Sequence, residues 1–381
     1  MLFSEIIGQE RVKQRLLQSV KDGRIPHAQL FFGPEGCGHL PLAIAYAQYL
    51  SCESRTENDS CNRCGSCIKY KKIAHPDLHF SFPTATMKDR KAHSDEYMAE
   101  WRKAVLKNPY LSLFDWYESL GIENKQGYMS VEESGDILHK LLLKPYESQF
   151  KVMIIWMAEK MRADAANKLL KIIEEPPDDT LFILITENMD QMLGTITSRT
   201  QLIKMKRIDD DVLQKLLQSE HGLDFHQARH IVRLSEGNYN MALSLANQEN
   251  AVLNIETEFM NWMRMCYAIS SQKTREENYM KLNEWIEQII KGGRERQKNF
   301  LLYGLEVIRE CLVHNYADAS MARIDDEMIA GFSRFAPFIH YDNAADFEKE
   351  LSRAGYHIER NANPRILFLD LSFKLNALLR W

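Results

Sequence analysis

The chain has 381 residues, enough for two or three domains of ordinary size. Its hydrophobic fraction of 45% and charged fraction of 27% are typical of a globular protein, and its net charge of −5 argues against wrapping nucleic acid over the whole surface. No apolar run approaches the roughly 20 residues that span a bilayer, and the first residues lack the apolar segment of a signal peptide. We therefore expect a cytoplasmic protein without a membrane anchor.

The first predicted elements are a helix and a strand. Val12, Leu16, Leu17 and Val20 recur at helical spacing, which indicates an amphipathic helix. The segment AQLFF, residues 28–32, reads as a short buried strand that leads into a glycine-rich loop. A second helix, LPLAIAYAQYLSC, is predicted directly after the loop.

The glycine-rich loop has the context of a phosphate-binding P-loop but lacks its chemistry. In the pattern G-x-x-x-x-G-K-[ST], backbone N–H groups cradle phosphates, the Lys reaches the terminal phosphates and the hydroxyl holds Mg²⁺. Here Gly33, Gly36 and Gly38 are present, but His39 takes the Lys position and Leu40 the hydroxyl position. The simplest interpretation is that His39 begins a helix and has no chemical role.

Four of the seven cysteines form a cluster. Cys52, Cys61, Cys64 and Cys67 have the spacing C-x8-C-x2-C-x2-C, which favours a closed, structural Zn²⁺ site. A pair of disulfides is an alternative that a reducing cytoplasm disfavours. An iron–sulfur cluster is a second alternative, because four cysteines also ligate those.

Strands and helices alternate again after residue 150. A buried strand is predicted at Lys151–Ile155, but Trp156, Met157, Ala158 and Glu159 follow it where P-loop ATPases carry acidic residues. A helix closed by Pro176 and Pro177 comes next, and then strands at 180–186 and after 200. This alternation predicts a parallel sheet with helices on both faces.

The remaining segments divide the chain further. Residues from about 79 to 130 interrupt the alternating pattern and contain Tyr97, Trp101, Tyr110, Phe114 and Trp116. We expect an insertion that folds over its own domain, with a partner-binding surface as the alternative. Strands stop after about 206, so we predict an α/β core at 1–205, a small helical domain at 206–250 and an all-helical assembly domain at 251–381.

The order of these segments resembles one family, the AAA+ clamp-loader subunits, and among them the delta-prime subunits of bacterial DNA polymerase III. The resemblance rests on a series of segments that runs through nearly the whole chain except the insertion: IIGQERVKQRL, HAQLFFGPEGCG, the four-cysteine knuckle, HPDLH, LLLKPYESQFKVMII, AANKLLKIIEEPP, TITSRTQ and NANPRILFLDLSF. It implies a RecA-like core, a helical lid and a helical collar. It also implies tau/gamma and delta subunits, the sliding clamp and primed DNA as partners, with DNA touched at phosphates.

The related tau/gamma subunits carry an intact nucleotide site, and this sequence departs from it at four places. The Lys, the hydroxyl residue, the acidic pair and the second-sensor Arg are matched by His39, Leu40, Trp156–Met157 and Met241. We therefore expect no bound ATP and no intrinsic catalysis, in a component of the DNA polymerase III holoenzyme, a DNA-directed DNA polymerase.

One charged motif of the family is kept. SRT at 198–200 matches the family's Ser-Arg-Cys motif, in which the Arg reaches the γ-phosphate in a neighbouring subunit. The resemblance thus implies that Arg199 is an arginine finger supplied in trans. The alternative is an arginine that pairs with a local carboxylate. Two rival functions also stay open: an active ATPase with an unusual P-loop, and a standalone zinc-containing DNA-binding module.

Overall fold

The computed structural model describes residues 1–87, 90–122, 127–247, 251–271, 275–317, 331–360 and 362–380. Parts of the predicted insertion (88–89 and 123–126), of the predicted lid (248–250) and of the predicted collar (272–274, 318–330, Asn361 and Trp381) lie outside these residues. The chain separates into two compact units, Met1–Ala246 and Asn247–Trp381. Within the described residues, no helix is long and apolar enough to cross a membrane.

The first unit contains five strands and eleven α-helices within its described residues. The strands are β1 (Ala28–Phe32), β2 (Leu78–Ser81), β3 (Lys151–Ile155), β4 (Thr180–Thr186) and β5 (Gln201–Lys204). The helices are α1 (Glu10–Lys21), α2 (His39–Ser51), α3 (Gly65–Lys71), α4 (Met98–Lys107), α5 (Leu113–Leu120), α6 (Val131–Leu142), α7 (Ala163–Glu174), α8 (Gly194–Thr197), α9 (Asp210–His221), α10 (Phe225–Ser235) and α11 (Tyr239–Ala246).

The five strands form one parallel sheet in the order β2-β3-β4-β1-β5. Every residue of the central strand β4 is buried, and alternate side chains enter different cores. Ile183 belongs to a core with α1, α2, α4 and α5, whereas Leu184 belongs to a core with α6 and α7. Parallel strands need crossover connections, so helices cover both faces. The predicted α/β fold class is confirmed.

The sequence interpretation missed one strand. β2 pairs in parallel with β3, with Leu78 opposite Val152 and Ser81 opposite Ile155. The predicted start of the insertion at about 79 is therefore wrong, because residues 79–81 belong to the sheet. A four-residue edge strand carries too little periodicity to stand out, and its two polar members, His79 and Ser81, obscured it further.

The insertion folds over its own domain, as expected. Trp101 on α4 and Trp116 on α5 are fully buried. The Trp101 ring stacks on Phe82 at 4.2 Å between ring centroids and lies 5.1 Å from Trp156, the residue after β3. The insertion thereby extends the hydrophobic core beyond the carboxyl ends of β2 and β3.

The second unit is helical throughout its described residues. Its helices are α12 (Ala251–Ala268), α13 (Arg275–Lys291), α14 (Gly293–Tyr316), α15 (Phe332–Phe335), α16 (Tyr341–Glu359) and α17 (Pro364–Leu378). Trp262 stacks on Trp285 at 5.2 Å and donates a hydrogen bond to Ser372 Oγ at 2.9 Å. α17 begins at Pro364, within the segment NANPRILFLDLSF that the sequence analysis matched to the family. The predicted boundaries at 206 and 251 stay predictions.

We predict that Trp101→Ala lowers the free energy of unfolding by about 3–5 kcal/mol, because it leaves a cavity among four aromatic rings. Leu106→Ala is the control, since Leu106 lies on the same helix with 51% of its surface exposed. Urea unfolding of the full chain, followed by far-ultraviolet circular dichroism, measures both. Equal stability of the two variants would contradict the burial described for Trp101.

Candidate functional site

The glycine-rich loop joins β1 to α2 at the carboxyl edge of the sheet. β1 lies between β4 and β5, so the loop sits where the strand order reverses, the place where open parallel sheets bind ligands. Gly36 and Gly38 both have left-handed backbone conformations, with φ of +69° and +96°. Gly38 directly precedes the first turn of α2. The loop geometry therefore resembles a phosphate cradle.

His39, in the position of the phosphate-binding Lys, cannot supply a positive charge there. It is only 5% exposed, its Nε2 lies 3.1 Å from Cys37 Sγ, and it makes a hydrogen bond to the backbone of Gly33. Burial lowers the pKa of His39 to about 4, against an ordinary value of 6.5. The imidazole is therefore neutral at physiological pH. Leu40, in the hydroxyl position, is also buried.

Asn238, just before α11, and Tyr239, its first residue, contact the loop. The Asn238 side-chain amide donates to Glu35 Oε1 at 3.0 Å, and Tyr239 N donates to the Gly36 carbonyl at 3.2 Å. A β-carbon added to Gly36 would lie 1.9 Å from Asn238 Oδ1, so only glycine permits this approach. Asn238 Oδ1 also accepts from the backbone N–H of Met241, the residue in the second-sensor position. The Gly36 carbonyl and the Glu35 side chain are thus engaged within the chain.

Tyr110, from the insertion, lies beside the same loop. Its hydroxyl accepts a hydrogen bond from Ile7 N at 2.9 Å, and its ring meets Tyr239 edge-on at 4.9 Å between centroids. A β-carbon on Gly38 would lie 3.0 Å from the Tyr110 ring. Tyr110 therefore joins the N-terminal segment, the glycine loop and α11. No spacing in the sequence connected this residue to the loop.

The end of β3 offers no metal-binding carboxylate pair. Trp156 and Met157 are 2% and 1% exposed. Glu159, the surviving carboxylate, accepts a hydrogen bond from Glu187 N at 3.2 Å at the end of β4. Burial raises the pKa of Glu159, which favours its neutral form. None of these three side chains provides the exposed anionic oxygen that Mg²⁺ prefers.

The four clustered cysteines form a tetrahedral arrangement. Their sulfur atoms all lie within 4.8 Å of one another, with separations of 3.6 Å (Cys52–Cys67), 3.9 Å (Cys61–Cys67) and 4.0 Å (Cys52–Cys64). Metal–sulfur bonds of about 2.3 Å in a regular tetrahedron place the sulfurs about 3.8 Å apart. No two sulfurs are bonded, and the space suits one ion better than a multi-iron cluster. The group can therefore hold a metal ion.

Backbone groups support the cysteine cluster. Three backbone N–H groups point at cluster sulfurs: Cys61 N at Cys52, Cys64 N at Cys61 and Cys67 N at Cys64, at 3.2–3.5 Å. Such bonds stabilise thiolates. The loop between the ligands also reaches the N-terminal segment, because Asp59 accepts hydrogen bonds from Phe3 N and Ser4 N, each at 3.0 Å.

Arg199 lies between α8 and β5, next to the amino end of β5, whereas the glycine loop follows the carboxyl end of the neighbouring parallel strand β1. Its Nε donates to Glu174 Oε2 at 3.1 Å, and its Nη1 donates to the Thr195 carbonyl at 3.1 Å and to Ser198 Oγ at 3.4 Å. The side chain remains 34% exposed. The local carboxylate partner considered from the sequence is present, yet the pairing leaves the guanidinium accessible. The structure does not bring Arg199 into contact with the glycine loop.

Comparison with known proteins identifies relatives of this chain. The sequence profile of the family described as DNA polymerase III, delta subunit, matches residues 8–209. A DNA polymerase III subunit delta' from Bacillus subtilis strain 168 is 29% identical over 228 residues, which are 60% of this chain and 56% of that protein. A DNA polymerase III subunit tau from Escherichia coli K12 is 26% identical over 254 residues, 65% of this chain and 32% of that protein. The chain thus matches about half or less of these relatives' lengths.

One solved structure covers nearly the whole chain. A DNA polymerase III gamma subunit-related protein from Thermotoga maritima aligns with 96% of this chain and 100% of its own, at 12% identity and a TM-score of 0.40. At this TM-score the likeness supports no conclusion about function.

We predict that His39 makes the chain less stable as the pH falls. The unfolded state binds a proton near pH 6.5 while the folded state resists protonation down to about pH 4. Stability contributed by the neutral imidazole is therefore present above pH 6.5 and is lost between 6.5 and 4, by roughly 3 kcal/mol at most.

His39→Gln removes this titration, so its free energy of unfolding should change less between pH 7 and pH 4.5 than that of the parent chain. His27→Gln is the control, because His27 is exposed. Urea unfolding at the two pH values gives the comparison. Parallel pH profiles for His39→Gln and the parent would show that the imidazole titrates freely.

Proposed function

The chain belongs to the DNA polymerase III delta subunit family, and from this premise we propose that it is the delta-prime, or stator, subunit of a clamp loader. In this proposal it binds no ATP of its own. It supplies Arg199 to the ATP held by an adjacent tau/gamma subunit, and with tau/gamma and delta it places the sliding clamp on primed DNA during replication in the cytoplasm. The whole complex, rather than this chain, carries out the ATP-driven step.

The observation that carries the proposal is the buried, neutral His39 where a nucleotide site needs a cation. A triphosphate and its Mg²⁺ bring several charges into a partly dry site, and transferring them from water requires compensating charges. At this loop the compensating positions hold His39, Leu40, Trp156, Met157 and Met241. The glycine turn and the N-terminus of α2 supply only partial charges. Asn238 also packs directly against Gly36, where it occupies space beside the glycine turn.

Arg199, unlike the buried and neutral His39, is charged and partly exposed, and this supports a role in trans. A guanidinium is always charged, and its planar fork matches phosphate oxygens. Arg199 is accessible and lies away from its own chain's glycine loop, so its charge is available to another subunit. In phosphoryl transfer, an arginine supplied by a neighbouring protein stabilises the charge that develops on the transferred group.

A structural Zn²⁺ at Cys52, Cys61, Cys64 and Cys67 completes the proposal. Four thiolates leave no open coordination position, so the ion would have no substrate to activate. Its role would be to fold the 52–67 segment, which also anchors the N-terminal segment through Asp59. When bound, the ion supplies folding free energy rather than catalysis.

We predict about one zinc per chain when the protein is purified without chelators. Replacing Cys64 by Ser should abolish binding and unfold the 52–67 segment locally, while the sheet keeps its far-ultraviolet dichroism because the strands bury their own surface. Cys266→Ser is the control, since this buried thiol lies in the second unit. Elemental analysis decides the metal. Iron with visible absorbance, or no metal, would refute the zinc assignment.

We predict that Arg199→Ala leaves the chain folded and the complex assembled, but sharply lowers ATP turnover. The exposed pair with Glu174 contributes only about 0–1 kcal/mol to stability, whereas trans arginine fingers in GTPases contribute roughly 10³–10⁵ in rate. The other ATP sites of the complex dilute this loss. Arg199→Lys should restore little, because an ammonium lacks the planar fork.

The measurement is clamp- and DNA-stimulated ATP turnover by complexes reconstituted with tau/gamma and delta relatives. Arg207→Ala is a matched control: Arg207 also pairs with a single exposed carboxylate, Glu236. Normal assembly with unchanged turnover and clamp loading in Arg199→Ala would make Arg199 a structural residue. Turnover by the isolated chain would instead favour an active ATPase. Salt-dependent DNA affinity of the isolated chain, together with no effect of Arg199→Ala, would favour a standalone DNA-binding module.

A further inference from the structure

Glu174 is the side-chain carboxylate that contacts the proposed arginine finger. It is the last residue of α7, and its Oε2 accepts the Nε–H of Arg199 at 3.1 Å across 25 positions in sequence. Its side chain is 56% exposed, so Glu174 does not fill space in the hydrophobic core. The contact connects the end of α7 to the segment between α8 and β5.

The position of Glu174 is electrostatically unfavourable on its own helix. Unpaired carbonyl groups give the C-terminus of a helix partial negative charge, so a carboxylate there is disfavoured and a cation is preferred. α7 nevertheless ends in Glu174, followed by Glu175 and then Pro176, which prevents the helix from continuing. A carboxylate at this place needs a compensating interaction, and the guanidinium of Arg199 provides one.

The contacts of Arg199 restrict its guanidinium without covering it. Nε is held by Glu174, and Nη1 is held by the Thr195 carbonyl and Ser198 Oγ. Within the described part of the chain, Nη2 makes no hydrogen bond, and 34% of the side chain is exposed. A long side chain loses substantial rotamer freedom when it is ordered. The contacts with Glu174, Thr195 and Ser198 order the Arg199 side chain before it meets a phosphate.

We propose that Glu174 is a positioning residue that orients Arg199 for the ATP of the adjacent subunit. This inference rests on the proposed function of Arg199. The bond to Nε fixes the plane of the guanidinium, and the free Nη2 is the nitrogen that meets the phosphate. Because the effect of a charged group in phosphoryl transfer depends on its placement, a freely rotating Arg199 would be a weaker finger.

The test uses the reconstituted complex with this chain, tau/gamma and delta relatives, the sliding clamp and primed DNA. A misplaced group can cost up to about 100-fold in rate. Since other ATP sites continue to turn over, we expect Glu174→Ala to lower kcat of the complex by about threefold, less than Arg199→Ala does. Glu174→Gln keeps one acceptor oxygen and should lie between Glu174→Ala and the parent. KM for ATP should not change, because the finger acts on the transferred phosphoryl group.

Glu175→Ala is the matched control, because it removes an exposed carboxylate from the same helix end without touching Arg199. The double variant Glu174→Ala/Arg199→Ala should turn over ATP at the rate of Arg199→Ala alone. Positioning predicts this non-additivity, since Glu174 has nothing left to orient. Thermal unfolding verifies that each variant is folded.

The outcomes separate this inference from the proposed function. If Arg199→Ala has no effect on turnover, the proposed function fails. If Arg199→Ala lowers turnover but Glu174→Ala does not, the positioning role alone is overturned. A rise in turnover for Glu174→Ala would make Glu174 a competitor for the guanidinium, and an equal loss in the Arg199→Ala background would make its role merely structural. Either result overturns the inference.

Discussion

A neutral imidazole at the start of α2 is the constraint on which the other features of the glycine loop depend. His39 is buried, and burial keeps its pKa near 4, so the head of the helix lacks the cation that a triphosphate requires. In the proposed function no phosphate enters this loop, so the surrounding residues do not have to leave room for one. Asn238 and Tyr110 pack against the glycines of the loop, and Tyr239 N donates a hydrogen bond to the Gly36 carbonyl.

The insertion also fills the region beside the glycine loop, at the carboxyl ends of the strands. In the described residues, its tryptophans extend the core past the ends of β2 and β3, and Trp101 packs on Trp156, which stands where an acidic residue would hold Mg²⁺. An aromatic side chain here is compatible with the insertion's core and incompatible with metal chemistry. Under the proposed function, the side chains that complete this hydrophobic core also leave the loop without metal ligands, so restoring one charged residue would not create a nucleotide site.

Much of the fold could be read from the sequence because three of its strands, β1, β3 and β4, are buried along nearly their whole length. β1, β3 and β4 have the predicted bounds, since continuous apolar runs between polar turns admit few alternatives. β2 was missed because it has four residues and two of them are polar. The cysteine cluster was predictable from spacing alone, and the sulfur separations agree with that prediction.

The contacts between distant segments could not be read in this way. Tyr110 reaches the glycine loop through the tertiary arrangement of the insertion, and no local pattern encodes that approach. The Glu174–Arg199 pair also joins segments 25 residues apart, although two acidic residues at a helix C-terminus are a detectable anomaly. Arg199 itself was found only through a resemblance, because a lone arginine before a strand has no periodic or spacing signal.

The central claim is that this chain has no nucleotide site of its own and gives its charge to a neighbour. Calorimetric titration of the full isolated chain with Mg²⁺-ATP tests this most directly, with a tau/gamma relative titrated under the same conditions as the positive control. The account predicts no binding heat for this chain at cellular ATP concentrations, and none for His39→Lys, because the carboxylate positions stay apolar. Micromolar affinity of the unmodified chain for Mg²⁺-ATP would contradict it.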